Sequence, residues 1–316
     1  MSTGPVTAFA PATVANVGCG FDIMGFALTG IGDRVTITLQ ADNFTSMILR
    51  GPYAAGISAE YHKNTAGVAI NHFLNAGGYR DIRPGIALEK NLPLSSGLGS
   101  SAASAAAALF ALNDLLGNPL TVKELIPFAM EGERAACGTA HADNVAPSLL
   151  GGFVLIRSYD PLDIIQITSP DDLYCAVVHP HIEIRTSDAR RILKHDIPIG
   201  DVTKQSANSA AFIAGLFTED YELLGRSMND LLAEPKRTQL IPGFDRAKRA
   251  AMDAGAIGCG ISGSGPSVFA LSRGEIKSSR IAEAIKRSFL EAGLDSDAFV
   301  SPLNAPGAHI IPGNVI

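Results

Sequence analysis

Apolar and polar positions alternate with a period of two over residues 6–10 and again over 34–40. This predicts two strands, the second entered through a turn marked by Gly30, Gly32 and Asp33. Between them PATVANVGCGFD (11–22) has no clean period and reads as a loop. Asn64 or Thr65 caps a helix reaching Gly77 and Gly78, with Val68, Phe73 and Leu74 available for packing. A strand at 86–88 precedes an alanine-rich helix that starts near residue 100 and runs to about 116, where Gly117 stops it. Thr121 and Glu124 have capping-box spacing and open a helix toward Cys137 in which Pro127 should introduce a kink. An apolar strand follows at 153–156. Beyond it the pattern predicts a strand at 174–179, a helix capped by Thr186 or Ser187 with Arg190 in its first turn, and helices at about 203–217, 220–232, 243–254 and 279–292. GCGISGSGP (258–266) reads as a flexible glycine loop before a strand at 267–271.

At 316 residues the chain is long enough for two domains of roughly 150 residues each. The Asp- and Pro-containing stretch from Tyr159 to Asp172 places the division at 1–165 and 166–316. Composition, 47% hydrophobic and 18% charged, is that of a soluble globular protein. A net charge of -6 without a long basic run excludes a general nucleic-acid partner, so the ligand should be small. Cys19, Cys137, Cys175 and Cys259 show no C-x-x-C spacing, which removes a zinc site or redox pair and leaves plain thiols. No basic segment leads into a long apolar run at the N-terminus, and no apolar stretch approaches membrane length; a cytoplasmic protein without a membrane partner is expected.

The chemistry concentrates in PLSSGLGSSAAS (93–104), where a glycine- and hydroxyl-rich turn joins directly to a helix. Gly97 and Gly99 permit backbone conformations closed to other residues and let a ligand approach the main chain, while Ser100 and Ser101 are placed to cap the helix. Its first amides have no intrahelical acceptor and lie at the positive end of the helix dipole, which makes a phosphate cradle without a lysine. The pattern G-x-x-x-x-G-K-[ST] is absent. Elsewhere Asn16 and Asp22 bring an amide and a carboxylate together among small residues. Glu131 and Glu133 share a helix, and helical phase does not choose between them. His141, Asp143 and Asn144 stand in a loop before Pro147. His179 and His181 share a strand face with no third ligand at metal spacing, which reads as a packed or surface pair.

The run Pro93, Gly97, Leu98, Gly99, Ser100, Ser101, Ala102, Ala103 resembles the phosphate loop of the GHMP small-molecule kinases, and HADNVAP (141–147) is similar to the H-x-D-N-V-A-P element of the homoserine-phosphorylating branch of that superfamily. The resemblance spans Pro11 to Pro266. It implies an α+β fold of two domains: an N-terminal mixed-sheet domain carrying the glycine-rich phosphate loop, and a C-terminal ferredoxin-like domain, with the active site in the cleft. It implies an ATP-dependent kinase making O-phospho-L-homoserine, a step of threonine biosynthesis, and a homodimer. ATP would be held by Lys90, Pro93, Leu94, Ser95, Ser96, Gly97, Leu98, Gly99, Ser100, Ser101, Ala102, Ala103 and Ser264, with 258–266 closing over the loop, and Mg2+ by Ser101 and Glu133.

An amino-acid acceptor needs an acid for its ammonium and arginine for its carboxylate. By resemblance Asn16, Asp22, His141, Asp143, Arg190 and Arg237 bind it, with catalytic parts for Asp143, Asn144, Thr186 and Arg190. Asp143 as a base and direct proton transfer to phosphate remain equal alternatives. The Asp-plus-Arg set speaks against an acceptor lacking an ammonium, and intact Ser101, Glu133 and glycine motifs speak against a relative that binds nucleotide without turnover.

Overall fold

In the computed structural model, which describes residues 4–39, 45–194 and 196–312, the first alternating run continues past its predicted end. Strand β1 (Val6–Ala15) takes in part of the segment expected to be a loop, and β2 (Met24–Leu39) begins at Met24 rather than Arg34, with Gly30, Gly32 and Asp33 inside it. Gln40, the predicted end of that strand, lies outside the described residues, as do Met1 to Thr3 and the side chain of Cys137. Pro11 has no N–H for a ladder; the β1–β2 register shifts between Pro11 and Thr13, and the strand accommodates the proline there.

The chain continues through β3 (Ser46–Arg50), α1 (Thr65–Ala76), β4 (Pro84–Glu89), α2 (Ser100–Leu115), α3 (Val122–Cys137), α4 (Ala142–Leu150), β5 (Phe153–Tyr159) and β6 (Leu162–Ile167). Asn64 caps α1, its side chain accepting from the Ala66 amide at 3.0 Å. The Glu124 carboxylate reaches back to the Thr121 amide at 2.8 Å to open α3, which continues through Pro127. Residues 142–150 form α4 with His141 at its N-cap, where a loop was expected.

The second half comprises β7 (Leu173–Pro180), α5 (Thr186–Arg191), α6 (Ile199–Thr218), α7 (Tyr221–Ser227), α8 (Glu234–Arg237), α9 (Phe244–Asp253), β8 (Gly258–Ile261), β9 (Val268–Arg273), α10 (Glu275–Glu291), β10 (Ser296–Pro302) and β11 (His309–Ile311). Three expectations change here. Arg185, not Thr186 or Ser187, is the N-cap of α5, and Arg190 lies in its last turn. α7 ends early because the buried Asp230 carboxylate collects the amides of Leu232, Ala233 and Glu234 and opens α8. The start of the glycine run is strand β8, paired with β9, which leaves the loop itself at 262–266.

The first sheet has the order β11-β1-β2-β4-β3, with β5 on the front of β2 and β6 on β5; β3 pairs β4 in parallel and β1 pairs β2 antiparallel, so the sheet is mixed. The second has the order β10-β7-β9-β8, antiparallel throughout, with α10 linking β9 to β10, the ferredoxin-like arrangement. Helix α2 packs on β1 and β2 and is enclosed by α1, α3 and α4. Thirteen of its 16 residues are buried, which explains the alanines: a helix enclosed on several sides at close range has room for little else. Between the sheets, Phe26 lies 6.3 Å from Phe153 and 6.2 Å, edge to face, from Phe269, in one apolar cluster with Phe212. That shared core fixes the two walls of the cleft. The closing strand β11 returns to β1, and Ala308 donates to the Ser148 carbonyl at 2.9 Å, tying the tail to α4.

Candidate active site

The glycine loop bends through left-handed backbone at Ser95 (φ 52°), Gly97 (76°) and Gly99 (65°). A Cβ at Gly97 would stand 2.4 Å from the Ser262 carbonyl, and one at Gly99 2.0 Å from Thr13 Oγ1. Both glycines are therefore demanded by protein neighbours as well as by φ. Gly99 itself is the N-cap of α2, and the serines expected to cap it are engaged elsewhere. Ser100 Oγ donates to the Leu92 carbonyl at 3.1 Å, and Ser101 Oγ to Glu133 Oε2 at 2.6 Å. The Ala103 amide bonds the Gly99 carbonyl at 2.9 Å, so the amides of Ser100, Ser101 and Ala102 precede the helical ladder. The 262–266 loop closes on this one: Ser262 Oγ donates to the Gly97 carbonyl at 2.6 Å and the Ser267 amide to that of Ser96 at 3.2 Å.

These elements surround one cavity of about 560 Å³. Lys90, Leu94, Ser95, Ser96, Gly97, Gly99, Ser100, Ser101, Glu133 and Ser264 line it, together with Asn16, Asp22, His141, Asp143, Asn144, Thr186, Arg190 and Arg237. Pro93, Leu98, Ala102 and Ala103 are not in the lining, and the last three are fully buried behind it. Of Glu131 and Glu133 on α3, Glu133 lines the cavity.

Lys90, expected to add charge near the phosphates, lines the cavity but is held by protein partners. It is 1% exposed, its ammonium is ion-paired to Asp33, and it donates to the Ser100 carbonyl at 2.6 Å and Ser104 Oγ at 2.9 Å. Burial pulls its pKa below the usual range, and Asp33 opposes that pull. The Asp33 carboxylate also accepts from the Asn91 and Leu92 amides at 2.9 and 3.1 Å. The pair thus fixes the entry to the loop and the first turn of α2, with its charge already compensated.

Asn16 and Asp22, also in the lining, have left-handed backbone (φ 55° and 59°). Asn16 Oδ1 accepts from the Asp22 amide at 2.7 Å and its Nδ2 donates to the Gly263 carbonyl at 2.9 Å. Arg190 Nη2 reaches both Asp22 oxygens at 2.8 and 3.0 Å. Arg237, 3% exposed, donates to the Gly263 carbonyl at 2.7 Å, and burial lowers its pKa. Asp143 begins α4 with Oδ1 buried and without a hydrogen-bond partner; desolvation first, then the charges of Asp22 and Glu133, push its carboxyl up to about 7. Burial pulls the His141 imidazole below its ordinary range, against the attraction of Asp22. Thr13 Oγ1 donates to Asn144 Oδ1 at 2.8 Å, and Thr186 Oγ1 lies 3.5 Å from Ser264 Oγ.

The pattern reading missed Asp33, Thr13, Phe21 and Tyr159. The Phe21 ring lies under the guanidiniums of both Arg190 and Arg237, and the Tyr159 hydroxyl donates to the Asp22 carbonyl at 2.7 Å. A lone aromatic between Gly20 and Asp22 in a run of small residues was the available signal for Phe21. His179 packs against Ser267 (3.2 Å) and His181 pairs with Asp297 (3.0 Å).

Known proteins share this fold. The chain matches the GHMP kinases N terminal domain over residues 61–152 and the GHMP kinases C terminal domain over 212–292. It is 51% identical to a homoserine kinase of Chlorobium phaeobacteroides, over 97% of this chain and 99% of that one. With a homoserine kinase of Xylella fastidiosa the identity is 40%, over 96% and 93%. The crystal structure of homoserine kinase from Cytophaga hutchinsonii is 47% identical and superposes with a TM-score of 0.95, covering 98% of this chain and 99% of that one. The mevalonate kinase of L. major, at 18% identity and a TM-score of 0.70 over 96% and 97%, shares the fold. With its two sheets, its glycine loop and these relatives taken together, the chain belongs to the homoserine kinases of the GHMP kinase family.

Proposed function

We propose that the chain transfers the γ-phosphoryl group of ATP to the side-chain hydroxyl of L-homoserine, giving O-phospho-L-homoserine and ADP, a step of threonine biosynthesis. The observation that carries this reading is that an acid–arginine pair, Asp22 with Arg190, lines the same cavity as the Gly97–Gly99 loop and the Ser101–Glu133 pair. An amino acid has a cation and an anion on one carbon. Asp22 suits its ammonium, and Arg190 and Arg237 suit its carboxylate. The free amides of 100–102 at the start of α2 suit the triphosphate. Phosphoryl transfer depends mainly on position and on charge stabilisation, which this cavity lining supplies.

A hydroxyl and a carboxylate 2.6 Å apart on the cavity wall are the hard oxygen donors that magnesium accepts, so Ser101 and Glu133 would hold it. When bound, the ion neutralises charge on the phosphates. The chain's own residues hold the acceptor: Asn144, fixed by Thr13, and Asp143 stand beside Asp22 on the acceptor wall. The acceptor oxygen bonds to the γ-phosphorus as the bond to ADP breaks, and its proton goes to Asp143 or to a phosphate oxygen. Among the described residues no helix is long and apolar enough to cross a membrane, and we place the enzyme in the cytoplasm as a homodimer.

The test is coupled ADP release with magnesium and ATP, offering L-homoserine, mevalonate, shikimate, galactose or no acceptor. Turnover confined to homoserine and reduced by Arg237→Ala supports the assignment. Turnover with another alcohol keeps the phosphate side and overturns the acceptor side, and no turnover points to a binding protein.

A further inference from the structure

We propose that Phe21 is a positioning residue whose ring face keeps the Arg190 and Arg237 guanidiniums together on the acceptor wall. This inference rests on the acceptor reading above. Two like charges do not gather without cause, yet the Arg190 guanidinium carbon lies 5.6 Å from the centre of the Phe21 ring and that of Arg237 lies 5.3 Å from it. Both fall within the distance at which an aromatic quadrupole attracts a cation.

The hydrogen bonds of each arginine leave a task for the ring. Arg190 spends Nη2 on Asp22, while its Nε is buried with no hydrogen-bond partner. Arg237 is almost wholly buried and held by neutral carbonyls, Gly263 at 2.7 Å and Ala189 at 3.4 Å. Among the described residues no carboxylate is hydrogen-bonded to Arg237: Asp22, Asp230 and Asp143 attract it through space, and the electron-rich face of Phe21 adds a contact on the ring side. The ring is itself placed by the chain: Asp22 follows it, with its amide on Asn16, and Asn16 shares the Gly263 carbonyl with Arg237. Phe21 itself does not line the cavity. It acts through the two arginines, on the affinity for a carboxylate-bearing acceptor.

The experiment compares wild type with Phe21→Leu, which keeps apolar volume and loses the ring face, and Phe21→Tyr, which keeps the face. For Phe21→Leu the expected result is a KM for L-homoserine raised about tenfold, with kcat and the KM for ATP within about threefold of wild type. Phe21→Tyr should stay close to wild type, and both should melt near the wild-type temperature. If Phe21→Leu loses its melting transition, Phe21→Met is measured in its place with the same expectation. An unchanged homoserine KM overturns the proposal. So does a parallel rise in both KM values, or a tyrosine variant that behaves like leucine. Absence of homoserine turnover in the wild type itself is read before any variant; it overturns the acceptor assignment, and the role of Phe21 with it.

Discussion

Asp143 shows what one buried carboxyl does to both stability and rate. Its pKa is raised to about 7, chiefly by desolvation, with Oδ1 unpartnered. Between the ordinary carboxyl range and about 7 the folded chain keeps a proton that the unfolded chain has released. Stability conferred at this position therefore falls as pH rises through that window, by about 1.4 kcal/mol per unit. Asp143→Asn should melt several degrees above wild type at pH 8, with the difference vanishing near pH 4; calorimetry at the two values checks it. Activity distinguishes the two proton routes. If Asp143 accepts the proton, wild-type kcat/KM for the acceptor rises with pH through about 7 and Asp143→Asn loses about a hundredfold; transfer to phosphate predicts a small loss without that pH step. At the metal pair, Ser101→Ala and Glu133→Gln should each lower kcat about a hundredfold or more and raise the magnesium needed for half-maximal rate, measured by metal titration after chelation.

Among the elements, the loop before α2 constrains its sequence most tightly. Gly97→Ala and Gly99→Ala combine a left-handed φ with contacts of 2.4 and 2.0 Å to Ser262 and Thr13. Each should cost about 3 kcal/mol or more in urea unfolding. Gly138→Ala, also left-handed but with open space around it, should cost only about 1–2 kcal/mol. The turn, the capping box at Thr121 and the alanine helix were legible because each is set by neighbours in sequence. The rest depended on partners far along the chain. Pro11 belongs to a strand because β2 lies beside it with a register shift, and Lys90 is buried because Asp33 waits 57 positions earlier. α4 looked like a loop because its polar residues face a cavity that only the folded chain creates. The acceptor residues were legible as a set through resemblance; Phe21, an ordinary aromatic in sequence, acquires its place only when two arginines from α5 and α8 fold over it.

Across the whole molecule, the cleft is held by the apolar cluster between the sheets, so Phe26→Ala or Phe153→Ala should lower stability by about 3–5 kcal/mol, read by denaturant unfolding. We propose to keep the division near residues 160–172 as the main connection between 1–165 and 166–316, with the final strand crossing back over it. That strand pairs Phe9 with His309 and Thr7 with Ile311, and Ala308 beside it bonds the helix that carries Asp143 and Asn144. A chain made from its N-terminus can gather most of the first sheet early, but β1 keeps an open edge until residues 309–311 have emerged. A copy that stops before residue 308 therefore lacks the clasp behind α4.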